Sequence, residues 1–311
     1  MPTIYNAGSL NIDDVFQVAS IARRGETISS RALDRFAGGK GLNQSIALAR
    51  AGVRIRHIGR IGEDGVFLRD VLAADGVDIS GVEIGKLPTG HAIIQVADDG
   101  ENAIILYSGA NRNWSKKDVQ RIKHSTRPGD ILLLQNEINM MPELIEAAHE
   151  AKLRIVLNPA PMEPEVKNYP LEYLSWLVVN EIEGRELAEI DIDEQGVGET
   201  EERVISELHR RYPKTVIVMT LGKRGAIRVD DDGLIRSFFP DVGPIVDTTG
   251  AGDSFIGYLL AGEIFGLSGV EGLRRACAAG ALSVTRKGAA ISMPRRTEVD
   301  ALLRDAAFNK P

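Results

Sequence analysis

The chain has one cysteine, Cys277, in 311 residues. That excludes an intrachain disulfide framework and fits a reducing compartment, so a cytoplasmic location is expected. Excess positive charge is also missing: 37 Lys and Arg stand against 44 Asp and Glu, a net charge of −7. This balance opposes attraction to a phosphate backbone or to anionic lipid, so neither nucleic acid nor membrane is an expected partner. The basic pairs Arg23-Arg24, Arg210-Arg211 and Arg295-Arg296 are scattered and read as solvated surface. No segment approaches the ~20 apolar residues of a membrane span, and Met1 to Ser9 lack the basic start and apolar run of an export signal. The five histidines, at 57, 91, 124, 149 and 209, show no metal-ligand spacing. A G-x-x-x-x-G-K-[ST] phosphate loop, an internal repeat and a Ser/Pro-rich linker are all missing. Aromatics are few, at 5%, but 43% hydrophobic and 26% charged residues still allow a large core and exclude a disordered polymer.

What is present is an alternation of short β-branched runs with longer helical stretches, the order that generates right-handed βαβ crossovers. Strands are predicted at Ile4 to Ala7, Arg54 to Gly59, Ile131 to Gln135, Ile155 to Asn158, Trp176 to Asn180 and Val216 to Thr220. Helices are predicted over Gln44 to Ala51, Val66 to Asp75, Pro142 to Ala151, Glu201 to Arg211, Asp253 to Phe265 and Leu273 to Thr285. Pro142 suits a first turn, and Gly52 and Gly266 suit C-terminal stops. The fold class is therefore α/β, a mostly parallel sheet flanked by helices. Two segments break the rhythm, Leu10 to Phe36 and Thr89 to Ala110; in the second, two apolar runs flank Asp98-Asp99-Gly100 as a β-hairpin would. We expect residues 10–36 and 89–110 to form a small β lid over the carboxyl edge, and 1–9, 37–88 and 111–311 to form the α/β domain. An edge hairpin without function is the plainer alternative.

The sharpest local feature is Asp247-Thr248-Thr249-Gly250-Ala251-Gly252-Asp253, a glycine-rich turn opening an amphipathic helix. Such a turn lets backbone N–H groups converge at a helix N-terminus, where they can hold the negative charge of phosphoryl transfer. Asp253 at its mouth could accept a proton from an attacking hydroxyl, although the helix end should keep its proton affinity low. Taken alone it is equally a first-turn Asp that only stabilises the helix. In Gly8-Ser9-Leu10-Asn11-Ile12-Asp13, Asn11 and Asp13 alternate onto one strand face, a pairing that suits a polyol. Gly39 permits close backbone approach, Lys40 and Asn43 add polar contacts, and Glu137 lies just past a buried strand. Each of these alone reads as an ordinary turn or cap residue.

With these motifs, the chain also carries Gly38-Gly39-Lys40-Gly41-Leu42-Asn43-Gln44, Asn158-Pro159-Ala160-Pro161, Asn180-Glu181-Ile182-Glu183, Thr220-Leu221-Gly222-Lys223-Arg224-Gly225 and Val284-Thr285-Arg286-Lys287-Gly288-Ala289. In this order the set resembles the ribokinase-like (PfkB) carbohydrate kinases over nearly the whole length. The resemblance implies a Rossmann-like domain with a β lid, Mg²⁺- and ATP-dependent phosphorylation of a sugar hydroxyl, and a homodimer formed through the lid. It places Asp253 as the base, with Gly250, Ala251 and Gly252 holding the transferring charge. Asn11, Asp13, Gly39, Lys40, Asn43 and Glu137 would bind the sugar. Asn180, Thr220, Gly222, Gly225 and Gly252 would contact the nucleotide. Cys277 falls where adenine is often met, but also reads as a small buried apolar residue. Glu183 would place Mg²⁺ through water. An activating K⁺ would be held by Asp247, Thr249, Ser283, Arg286, Gly288 and Ser292, mostly through carbonyls.

Lys40-Gly41 differs from the pattern of the family's fructose and keto-acid sugar kinases but is shared with its kinases of phosphorylated hexoses, whose early motif Asn11-Ile12-Asp13 does not match, so the resemblance implies a free pentose as acceptor. The expected reaction transfers the γ-phosphoryl group to O5 of D-ribose, giving D-ribose 5-phosphate. Another pentose, deoxyribose, a nucleoside or another small sugar remains an alternative acceptor, because Arg24, His91 and Asn139 depart from the commoner pattern on the sugar side. A catalytically silent sugar or nucleotide sensor is the alternative from a different class.

Overall fold

Short runs, apolar in the interior and of mixed polarity towards the edges, pair into β1 (Ile4–Ala7), β4 (Ile55–Ile61), β5 (Asp78–Ile84), β8 (Ile131–Gln135), β9 (Arg154–Asn158), β10 (Trp176–Asn180), β11 (Val216–Thr220), β12 (Ala226–Asp230) and β13 (Gly233–Ser237). Interleaved are α1 (Lys40–Arg50), α2 (Val66–Ala74), α3 (Lys116–Ser125), α4 (Met141–Glu150), α5 (Glu181–Ala188), α6 (Val197–Arg211), α7 (Ala251–Ile264), α8 (Gly269–Ser283) and α9 (Arg296–Arg304). The computed structural model describes residues 2–190 and 197–305.

These strands form a nine-stranded sheet in the order β13-β12-β11-β10-β9-β8-β1-β4-β5. It is parallel from β5 to β11, and β12 and β13 add antiparallel at one edge. Apolar clusters cover both faces, as a parallel sheet requires. Strand order reverses between β1 and β8, so the chain leaves these neighbours in opposite directions and opens a crevice at their carboxyl ends. Gly8-Ser9 and Asn136-Glu137 emerge there.

A second sheet rises from this edge: β3 (Ala32–Gly38), β2 (Asn11–Gln17), β6 (Gly90–Val96) and β7 (Asn102–Tyr107), in that order. The predicted hairpin is β6–β7, and β2 joins it in parallel. The strand β3 continues to Gly38 because Asn11 pairs with it, two residues beyond the expected limit at Phe36. Strands β5 and β13 escaped prediction because they lie at the sheet's edges and carry mixed polarity, and β12, one strand in from β13, because Arg228 and Asp230 interrupt its apolar run; α3 escaped because it is rich in charge.

The helix α7 is not amphipathic as expected. Every residue from Asp253 to Gly262 is buried, because α7 is packed between α1 and α8. Its close approach to α1 needs Gly257, where an added Cβ would lie 2.4 Å from Ala47 Cβ and 3.0 Å from the Ala47 carbonyl carbon. Four residues earlier on each helix, this contact aligns Asp253 with Asn43. A Gly257→Ala variant is expected to lose about 1–3 kcal/mol from overpacking, read as a lower urea midpoint.

Candidate active site

Asp253 lies in the first turn of α7, whose N-cap Gly250 has φ +77°, a conformation that favours glycine. The first-turn N–H groups have no upstream carbonyl of their own helix to bond. Ala251 N–H donates to the Thr248 carbonyl at 3.3 Å, which leaves the N–H groups of Gly252 and Asp253 to face an anion at the mouth of the turn. The Asp253 carboxylate is only 7% exposed, and both oxygens accept amide donors: Asn43 Nδ2 at 3.0 Å and Gln44 Nε2 at 2.9 Å. Burial pushes its pKa above the usual carboxylate range, while the charge of Lys40 and the two amide donors oppose the rise. The helix end was expected to keep proton affinity low; desolvation outweighs it.

Lys40 stands among three carboxylates. Burial alone would lower its pKa, but Asp253, Glu137 and Glu183 together hold it above the ordinary value. Glu137 accepts the Lys40 backbone N–H at 3.0 Å and the Ser9 hydroxyl, and burial raises its pKa against these donors and the Lys40 charge. Asn11 Oδ1 accepts Asn111 Nδ2 at 2.7 Å, and Asn111 Oδ1 accepts Leu10 N–H at 3.0 Å. Asp13 is pushed up to about 7 by burial and then by the neighbouring charges of Glu137 and Asp14. Gly39, which caps α1, lies against Asn11: a Cβ there would sit 3.0 Å from the Asn11 nitrogen. Asn11, Asp13, Gly39, Lys40, Asn43, Glu137 and Asp253 thus share one crevice at the foot of the second sheet. The buried Asn43 Oδ1 has no partner among the described residues, leaving an acceptor for a hydroxyl.

Two adjoining cavities lead away from Asp253. The smaller, of about 240 Å³, is lined by Lys40, Asn158, Asn180, Glu183, Gly250, Gly252 and Asp253, among others. The larger, of about 530 Å³, is mostly apolar and includes Gly222, Phe239, Val242, Ile245, Phe255, Gly280 and Ala281. Thr220, Thr248 and Gly252 line both. Two residues expected to contact a nucleotide do not line the larger cavity. Cys277 is fully buried, its thiol pushed up to about 12 by desolvation, and Gly280 and Ala281, one turn on, reach the wall instead. Gly225 is not on the wall either; its φ of +95° lets the chain pass β13, where a Cβ would meet the Ser237 carbonyl at 2.0 Å.

Asn180 and Glu183 form a capping box at the start of α5. Asn180 N–H and Nδ2 each donate to Glu183 at 2.9 Å, and Glu183 N–H donates back to Asn180 Oδ1 at 2.9 Å. The cap and the cavity-facing carboxylate are therefore the same residues. Among the described residues, no three His, Cys, Asp or Glu gather to hold a metal directly. Glu183 suits contact through water with an ion whose shell comes mainly from phosphate and solvent.

Near the glycine turn, Asp247 accepts Thr249 N–H at 2.9 Å and Oγ1 at 2.7 Å, and Gly288 N–H at 2.8 Å. These donors, with Lys287, hold its pKa low despite partial burial. Ser283 and Ser292 turn their hydroxyls to Gly280 and Ala289, and Arg286 pairs with Glu298, so their carbonyls are what remains for a cation.

The departures on the sugar side resolve differently. His91 Nε2 lies 2.8 Å from Asp14 Oδ2, and Asp14 also takes a bidentate contact from Arg35 at 2.7 and 2.9 Å. The register puts His91 with Ile12 and Asp14 on the lid face opposite Asn11 and Asp13, making it a satisfied lid residue. Asn139 clips both the N–H and the carbonyl of Trp114 at 2.9 Å. Nothing in the structure explains Arg24. Gln44, Ser9 and Asn111 carry the site but were missed as site residues, as was Arg224, which ties the Gly222–Gly225 loop to Glu181 at 2.5 Å and to the buried Glu201. Ser9, Gln44 and Arg224 stood inside quoted motifs, and Asn111 did not.

The raised pKa of Asp13 predicts a stability cost. The unfolded chain ionises Asp13 near 4 and the folded chain near 7, so the cost of ionisation appears as pH rises through this window and is complete above it. Asp13→Asn should therefore raise Tm at about pH 8 more than at about pH 5, by scanning calorimetry.

Residues 1–296 match the pfkB family carbohydrate kinase model. The ribokinase of Haemophilus influenzae is 33% identical over 98% of this chain and 99% of its own. The solved ribokinase of Cryptococcus neoformans in complex with ADP covers 97% of this chain and 100% of its own, at 34% identity and a TM-score of 0.87. The Arabidopsis thaliana ribokinase complexed with ribose and ATP covers 98% and 99%, at 29% identity and a TM-score of 0.86. A motif order, a crevice at the strand-order reversal and a match along nearly the entire length agree: the chain belongs to the pfkB family of carbohydrate kinases.

Proposed function

We propose that the protein is an ATP-dependent kinase of D-ribose, transferring the γ-phosphoryl group to O5 to give D-ribose 5-phosphate and ADP. The observation that carries this is the buried Asp253, held by Asn43 and Gln44 between a crevice of polar side chains suited to a polyol and two adjoining cavities that together offer room for a nucleotide. Relatives named ribokinase at about a third identity, one solved with ribose and ATP, support ribose as the acceptor.

In the mechanism, Asn11, Asp13, Lys40, Asn43 and Glu137 grip the sugar hydroxyls and aim O5 at the glycine turn. The O5 oxygen attacks the γ-phosphorus, its proton passes to an Asp253 oxygen, and the bond from the γ-phosphorus to the bridging oxygen breaks to leave ADP. The N–H groups of Gly252 and Asp253 face the charge gathering on the transferring oxygens. Lys40 is placed to stabilise ionised Asp253. Thr220 and Gly222 border the nucleotide, with Asn180 near its phosphates. Glu183 would hold a hydrated Mg²⁺, which supplies charge neutralisation at the phosphates, and the carbonyls around Asp247 would hold K⁺ beside the turn.

The β2–β3–β6–β7 sheet acts as the lid that excludes water, a competing acceptor. Its face away from Asn11 and Asp13 exposes Ile93, Ile105 and Tyr107, with Ile105 61% exposed, an apolar surface suited to a second copy of the chain. Sedimentation should give a homodimer, and Ile105→Asp should shift it towards monomer; a monomeric parent would remove this assignment.

Asp253→Asn should keep ribose binding by calorimetry while lowering kcat about 10²–10⁴-fold. A screen of kcat/KM over ribose, deoxyribose, other pentoses and nucleosides should rank ribose first. A higher rank for another acceptor would reject the substrate.

A further inference from the structure

Behind Asp253 runs a buried chain of side-chain amides. Gln44 Nε2 donates to Asp253 Oδ1 and, at 3.3 Å, to Asn158 Oδ1. Gln44 Oε1 accepts Gln135 Nε2 at 2.7 Å, and the same Gln135 nitrogen donates to Asn6 Oδ1 at 3.0 Å. Asn6 Nδ2 ends the chain on the Gly41 carbonyl at 2.7 Å and on Ser45 Oγ at 2.9 Å. Asn6, Gln44 and Gln135 are completely buried.

An amide can be turned over, exchanging its oxygen and nitrogen, unless its neighbours forbid it. Here both ends forbid it. The Gly41 carbonyl can only accept, so Asn6 must present nitrogen to it and oxygen to Gln135. Gln135 must then present nitrogen to Asn6 and to Gln44, leaving Gln44 oxygen inward and nitrogen towards Asp253. From the other side, Asn158 Nδ2 donates to the Val178 carbonyl at 3.1 Å, which leaves Asn158 Oδ1 as an acceptor for the same Gln44 nitrogen. The hydroxyl at the far end is settled likewise: His57 is kept neutral by burial, with a pKa lowered to about 3, and its Nδ1 lies 2.8 Å from Ser45 Oγ. Ser45 can donate there and accept from Asn6.

We propose that Gln135 and Asn6, neither on the wall of either cavity, are positioning residues for catalysis: through Gln44 they dictate that Asp253 Oδ1 always meets an N–H donor. A backbone carbonyl beyond the site thereby sets the polarity of the group facing the base. Without that polarity, Gln44 could turn its oxygen to Asp253, and a carboxylate already excluded from water would face a repelling dipole. The charged groups around Asp253 are Lys40 on α1, Glu137 beyond β8 and Glu183 on α5, and none of them contacts Gln135.

The inference rests on Asp253 as the base, and its test separates the two. Gln135→Met keeps the volume and removes the donor. It should lower kcat about tenfold, leave both KM values within about twofold, and move the acid limb of the kcat profile to higher pH, since losing a donor to a carboxylate favours its protonated form. The Asp253 carboxyl, followed by ¹³C NMR and assigned with Asp253→Asn, should titrate higher in the variant whether or not ribose is the substrate. Gln44→Met, which deletes the donor itself, should move it at least as far and serves if Gln135→Met does not fold. An Asp253 titration unchanged in a folded variant, or a loss of Tm and kcat with the acid limb in place, would overturn the proposal. A parent that fails to phosphorylate ribose but shows the shift would refute the substrate alone.

Discussion

A carboxylate leaves water only where donors and counter-charge replace its hydration, and meeting that condition at Asp253 organises much of the molecule. Asn43 and Gln44 come from a helix about 210 positions earlier in the chain, so the contact exists only because α1 and α7 pack closely at Gly257 and Ala47. The burial of α7 on all sides follows from the same packing. A helix with an exposed face would leave its first turn partly solvated, and Asp253 would be an ordinary N-terminal aspartate.

Burial also explains the crowding of charge. Asp13, Glu137, Glu183 and Asp253 have all been taken largely out of water, and all have raised pKa values; Lys40 stands among them as the nearby positive charge. A site of this sign does not attract a polyanion by its carboxylates. In the proposed reaction it would admit one through the N–H groups of the Gly250 turn and through cations held at the rim. The same glycine-rich turn therefore serves the anion while its aspartate serves the alcohol.

The parallel strands of the sheet interior were legible because burial on both faces demands unbroken apolar runs such as Ile131–Gln135 and Trp176–Asn180. Edge strands such as β13 and the charged helix α3 carry no such demand and left no comparable trace. Turn chemistry was equally legible: Gly52 and Gly266 stop helices where expected, both at positive φ. Cys277 and Gly225 lie off the wall of the larger cavity because motif position fixes a segment's neighbourhood but not which face of a turn reaches the cavity. One helical turn separates Cys277 from Gly280, and of the two Gly280 borders the larger cavity.

The sequence by itself determined the α/β alternation, the glycine turn before Asp253 and the set of polar residues offered to a sugar, because each depends on neighbours a few positions away. Tertiary structure alone decided that Asp253 is desolvated, that His91 serves the lid rather than the sugar, and that Gln44, Gln135 and Asn6 form one directed chain. These last properties depend on distance and on the orientation of donors and acceptors. Both are set when segments far apart in sequence are pressed together, and a linear order of residues does not encode them locally.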